Sequence, residues 1–158
     1  MRAVLALAVC ALAYAAEPLP PKQPLPFSHK QHAGAGLKCK DCHANPDPGE
    51  EEGFPATSKC MACHIAIEKD APAIKELKSY ADRKQEIPWK RVWEIPSSVS
   101  FSHRTHMEAG ATCQTCHGPV QDRDVLRRET DMSMGACINC HRQNRAPVEC
   151  KTCHSDAQ

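Results

Sequence analysis

Ten cysteines of this chain fall into five copies of one short pattern: Cys39-Lys-Asp-Cys42-His43, Cys60-Met-Ala-Cys63-His64, Cys113-Gln-Thr-Cys116-His117, Cys137-Ile-Asn-Cys140-His141 and Cys150-Lys-Thr-Cys153-His154. C-x-x-C-H is the attachment signature of c-type haem. Each thiol adds to one vinyl group of the porphyrin, and two intervening residues let one turn of backbone reach both. The adjacent His then lies beneath the iron as its proximal ligand. Zinc would use the Cys pairs but has no need of a His after every one. Disulfides also leave the five His unexplained. Thioredoxin-like chemistry uses one such motif in an α/β unit, and no βαβ pattern is present. The pattern therefore predicts five covalently bound c-type haems. Their thioether ligands are Cys39, Cys42, Cys60, Cys63, Cys113, Cys116, Cys137, Cys140, Cys150 and Cys153, and their proximal ligands are His43, His64, His117, His141 and His154.

That reading answers a problem of composition. Aromatic residues are only 4% of the 158, and thirteen Pro interrupt the backbone. Such a chain struggles to build an ordinary apolar core. Five porphyrins, at fewer than thirty mature residues each, would be the core instead, with the chain wrapped around them and stapled by thioethers. The expected fold class is mainly irregular, with short α-helices. Charge is balanced, twenty Lys and Arg against nineteen Asp and Glu, which gives no reason to expect nucleic acid. Ten haem propionates would make the loaded protein more acidic than its sequence.

The N-terminus reads as an export signal over residues 1–15. Arg2 precedes an apolar run from Ala3 to Ala13, and Ala13-Tyr14-Ala15 supplies a cleavage site. The run is shorter than the ~20 residues a bilayer span needs. Cys10 lies within it and is expected to leave with it. No other apolar stretch is long enough to cross a membrane, so the mature chain is expected in the periplasm, where c-haem is attached.

Four further histidines complete a repeat. Phe27-Ser28-His29-Lys-Gln-His32 precedes the first motif, and Phe101-Ser102-His103-Arg-Thr-His106 precedes the third. A shift of 74 residues aligns Phe27–His43 with Phe101–His117, with nine of seventeen positions identical. His29, His32, His103 and His106 are thus the expected distal ligands of four haems. A fifth haem needs Met, another donor, water or an open position. Met61 lies inside a haem loop and Met107 beside a His already assigned. Met132 and Met134 flank Ser133 just before the fourth motif, where a loop can return to an iron. The repeat divides the chain into a Pro-rich tail over 16–26, a first di-haem half over 27–86 and a second half with three motifs over 87–158.

The F-x-H-x-x-H element followed by C-x-x-C-H resembles the class III multihaem cytochromes c. That resemblance implies that His29 serves the haem on Cys39–His43 and His103 the haem on Cys113–His117, and leaves the targets of His32 and His106 open. A closer resemblance over most of residues 25–145 is to the pentahaem cytochrome subunit of alternative complex III, a bacterial quinol-oxidising membrane complex. It rests on Phe27-Ser28-His29-Lys30 with His32-Ala33-Gly34, Cys60-Met61-Ala62-Cys63-His64, Ile87-Pro88-Trp89 with Arg91-Val92, Cys113–Val120 and Met134–Arg142. It implies Met134 as the fifth distal ligand.

The remainder reads as scaffold. A helix is expected from about Ala71 to Arg83, a short one at Val125–Glu129, and an extended segment at Ile87–Val99. In that segment Trp89 and Trp93 are expected to pack on haem, with Arg91 as a propionate partner. Pro46–Glu52 reads as a solvated acidic loop. The function expected is single-electron transfer along a chain of haems, between redox partner proteins that include a membrane quinol-oxidising complex. The alternative is a multihaem reductase with one open iron acting on a small substrate.

Overall fold

The computed structural model describes residues 19–44, 49 and 52–154. The export segment with Cys10, the start of the Pro-rich tail and most of the acidic loop lie outside them.

The described chain is short helices joined by irregular segments. The helices are α1 (His29–Gly34), α2 (Cys39–Cys42), α3 (Thr57–His64), α4 (Pro72–Asp82), α5 (His103–Glu108), α6 (Cys113–His117), α7 (Met134–Gln143) and α8 (Cys150–Cys153), with a 3-10 turn at Val120–Asp122. Each Cys-x-x-Cys pair lies on a helical turn, so its two thiols, three residues apart, share a face.

The repeat has a local physical cause. Ser28 accepts from Gln31 N at 3.0 Å and Ser102 from Thr105 N at 3.3 Å, so each caps the N-terminus of its His-x-x-His helix. Both helices end in the same way. Gly36 and Gly110 take φ of +91° and +92°. Leu37 N reaches His32 O at 3.2 Å and Ala111 N reaches His106 O at 2.9 Å, the six-to-one closure that a left-handed glycine permits. The shared Ser and Ala-Gly identities are thus the two ends of one small helix.

Among the described residues the buried apolar side chains are Leu25, Leu77 and Ile87, with Cys60, Met61, Ile74, Tyr80 and Trp89 packed partly against them. They join α3 to α4. Pro72 stands at the first helical position of α4, where its missing N–H costs nothing; the helix expected over 71–83 is there. Glu86 accepts from Thr57 N at 2.6 Å, which satisfies a free amide at the start of α3 from a distant loop.

The short helix expected at Val125–Glu129 is not formed. Val125 is exposed, so the segment has no apolar stripe to bury. Glu129 instead reaches back six residues to Arg123, with contacts of 2.6 and 2.7 Å, and Thr130 donates to the Cys116 carbonyl. The start of α1 is tied to the segment after the 3-10 turn. Lys30 N donates to Arg123 O at 3.1 Å, and Ser28 Oγ to Asp124 at 2.6 Å.

Candidate functional site

The distal and motif histidines meet in pairs. His32 faces His64 with ring centroids 6.1 Å apart. His103 faces His117 at 6.2 Å, with planes 11° from parallel. His106 faces His141 at 5.9 Å. His29 lies within electrostatic range of His43. Two metal–imidazole bonds of about 2 Å each, end to end with the two ring radii, span roughly 6 Å. The spacing of the three measured pairs leaves room for one iron in each. Among the described residues no three His, Cys, Asp or Glu converge as a metal cluster. Two facing imidazoles suit a planar macrocycle that brings four donors of its own.

The ring nitrogens are set for this. A backbone carbonyl only accepts, so a His bonded to one through Nδ1 carries its proton there and keeps the Nε2 lone pair for a metal. His43 donates to Gly53 O at 2.9 Å, His64 to Ile67 O at 3.1 Å, His141 to Pro147 O at 2.5 Å and His154 to Ser98 O at 2.8 Å. On the distal side His32 donates to Ser28 O at 2.7 Å, His106 to Ser102 O at 2.8 Å and His103 to Gly49 O at 3.0 Å. Burial, then the neighbouring His43 and His32, pushes His29 down to about 4. It is neutral at pH 7, the form that binds metal.

Phe27 and Phe101 hold the distal pairs in place. Phe27 stacks on His32 at 4.4 Å and meets His29 edge-on at 4.8 Å and 84°. Phe101 does the same to His106 at 4.6 Å and to His103 at 4.8 Å and 87°. These ring positions went unassigned from sequence, although the Phe identity in both repeat copies was the signal. Gly49 was also missed. It belongs to the loop expected to be merely solvated, yet its carbonyl takes both His103 N, at 2.9 Å, and His103 Nδ1.

The thiols map the order of the motifs in space. Cys60 and Cys63 act on Cys42 or are acted on by it. Cys113 lies beside Cys39. Cys116 lies near Cys137 and Cys140, and Cys137 near Cys153. The motifs therefore run second, first, third, fourth, fifth. Burial is the leading cause that raises Cys42, Cys60, Cys113, Cys116 and Cys137 above the ordinary thiol range.

Trp93 meets His117 edge-on at 4.7 Å, whereas Trp89 packs on Phe27 at 6.0 Å and on the small apolar core. Arg91 lies over the Phe54 ring at 5.0 Å and donates to Glu52 O at 3.4 Å. Met134 opens α7 and is 67% exposed.

Comparison with known proteins agrees with this geometry. The family model described as cytochrome c3 matches residues 31–118, more than half of the chain. The chain belongs to the cytochrome c3 family. A second model, cytochrome c7 and related cytochrome c, matches residues 99–157. The multihaem cytochrome c subunit of a menaquinone reductase from Nitratidesulfovibrio vulgaris is 28% identical over 147 residues, which cover 85% of this chain and 69% of that protein. As a cytochrome of this family the chain carries covalently bound haem c, and its function is multihaem electron transfer. The irregular, short-helix fold is the one expected. Among the described residues no helix is long and apolar enough to cross a membrane.

Proposed function

We propose that this cytochrome binds five c-type haems and conducts single electrons along them in the order second, first, third, fourth, fifth. The observation that carries the proposal is the set of facing imidazoles at 5.9–6.2 Å. Bound haem supplies a one-electron iron couple. Four of the irons would each be held by two imidazoles: His43 with His29, His64 with His32, His117 with His103, and His141 with His106. Six-coordinate irons exchange electrons without bond changes, which suits a carrier. For the fifth motif, His154 is the proximal ligand and Met134 the distal one. Met134 stands one turn before Cys137 on α7, and Cys137 lies beside Cys153. A His/Met iron sits higher in potential than a bis-His iron, which would make this end of the wire the electron-accepting terminus.

The chain is exported through residues 1–15 and works in the periplasm against a membrane quinol-oxidising complex. The apolar run before Ala13-Tyr14-Ala15 supports export, and the likeness to the multihaem subunit of a menaquinone reductase supports a quinone-linked membrane partner. The visible spectrum tests the proposal, recorded oxidised, reduced, and reduced with carbon monoxide, with haem counted against protein. Five haems and no response to carbon monoxide are expected. Fewer than five in matured protein overturns the count. One haem that binds carbon monoxide in the native protein removes Met134 as ligand and favours the reductase reading.

A further inference from the structure

Seven of the nine histidines donate Nδ1 to a backbone carbonyl. The Nδ1 atoms of His29 and His117 are buried without an acceptor. The case of His117 has a visible cause. The Trp93 indole stands over its ring at 4.7 Å and 84°. The crevice they share with Pro119, Val120 and Leu126 admits no water. Glu129 lines the same crevice, but Arg123 takes both its oxygens at 2.6 and 2.7 Å, and Arg127 approaches at 3.5 Å. The indole offers only a second donor, Nε1, itself buried and unpaired.

We propose that Trp93 sets the reduction potential of the haem on Cys113–His117 by keeping every acceptor away from His117 Nδ1. The proposal rests on His117 and His103 being that haem's axial ligands. An imidazole that donates through Nδ1 is a more basic ligand; it stabilises the ferric iron and lowers the potential. An imidazole whose Nδ1–H has no acceptor is the weaker donor, and its iron is easier to reduce. The second and fourth haems have carbonyl acceptors on both ligands: Ser28 and Ile67 for one, Ser102 and Pro147 for the other. The third haem, between the first and fourth motifs in space, is thereby biased toward the reduced state. His29 gives the adjacent first haem the same bias at one ligand. The interior of the wire thus holds the electron more tightly than its bis-His flanks.

The test is a redox titration of the holoprotein with resolved haem signals, run on Trp93→Phe and Trp93→Ser. Phe keeps the crevice closed; Ser opens it to water. In Trp93→Ser the reduced-to-oxidised ratio of one haem is expected to fall about tenfold at a fixed potential, about 59 mV for a one-electron couple. Trp93→Phe is expected to match the unmodified protein. Equal titrations for all three overturn the proposal, as does an equal shift in both variants. A second readout needs no variant. In the reduced, diamagnetic protein the His117 Nδ1 proton should resonate apart from the carbonyl-bonded set, and a His117 signal within that set overturns the proposal even if Trp93→Ser fails to fold. The haem count separates this failure from the larger one. Five haems with unchanged potentials reject the role of Trp93 alone. A missing third haem, or carbon monoxide binding to it in the unmodified protein, rejects the ligand assignment beneath it.

Discussion

The imidazoles of His103 and His117 lie 6.2 Å apart and 11° from parallel, and each arrives from a different helix. His103 starts α5, where Ser102 caps the turn; His117 ends α6. The Ser102 cap and the Gly49 carbonyl fix His103, and Trp93 packs on His117. An iron between the two rings would be bound at their edges, by the Nε2 atom of each.

Removing one ring of a pair should open one iron. His103→Ala and His106→Ala are each expected to give carbon monoxide binding equal to one haem in five, with the haem count unchanged because the thioethers remain. Reduced-minus-carbon-monoxide difference spectra measure it. Two haems opened by a single substitution would mean that the ring pairs do not correspond to separate irons.

Met134 precedes Cys137 by one turn on α7, so its truncation should act on one haem alone. Met134→Ala is expected to create one haem open to carbon monoxide and remove the highest-potential step of the redox titration. An unaltered titration would assign the fifth position to another donor.

The haem-free chain should not fold. Leu25, Leu77 and Ile87 are the buried apolar side chains among the described residues, far too little apolar burial to offset the conformational entropy of ordering a chain of this length. Made without haem attachment, the protein is expected to show weak far-UV helical signal and no cooperative melting transition. A cooperative transition in the haem-free chain would show that the polypeptide builds its own core.

The two N-caps offer an internal comparison. Ser102→Ala should destabilise by about 1 kcal/mol, the usual cost of a lost cap. Ser28→Ala should cost a further ~1 kcal/mol, because Ser28 also donates to Asp124 at 2.6 Å, across the two halves. Denaturation midpoints of the two holoproteins measure the difference; equal midpoints would mean that the Asp124 bond adds no stability.

Much of the architecture was legible because it is local. The motif spacing places two thiols on one helical turn. The helical spacing of Ala71, Ile74, Leu77 and Tyr80 announced α4, which Pro72 begins. The Val125–Glu129 segment misled because its composition permits a helix while its bonds go elsewhere: Glu129 to Arg123, Thr130 to Cys116. A side chain recruited by a distant partner leaves no periodic trace. Gly49 was hidden for a similar reason, since it contributes a carbonyl, and every residue has one.

The residue order alone carries the number of attachment motifs, the His that adjoins each, and the two occurrences of the His-x-x-His helix. These are matters of spacing along one or two turns, set by backbone geometry. It took the folded chain to show that His32 meets His64, that His106 meets His141, and that the first motif lies between the second and the third. Those relations join rings tens of residues apart along irregular backbone, so no period encodes them. They follow from how Phe27 and Phe101 orient the rings and from where the loops return, and packing alone specifies that.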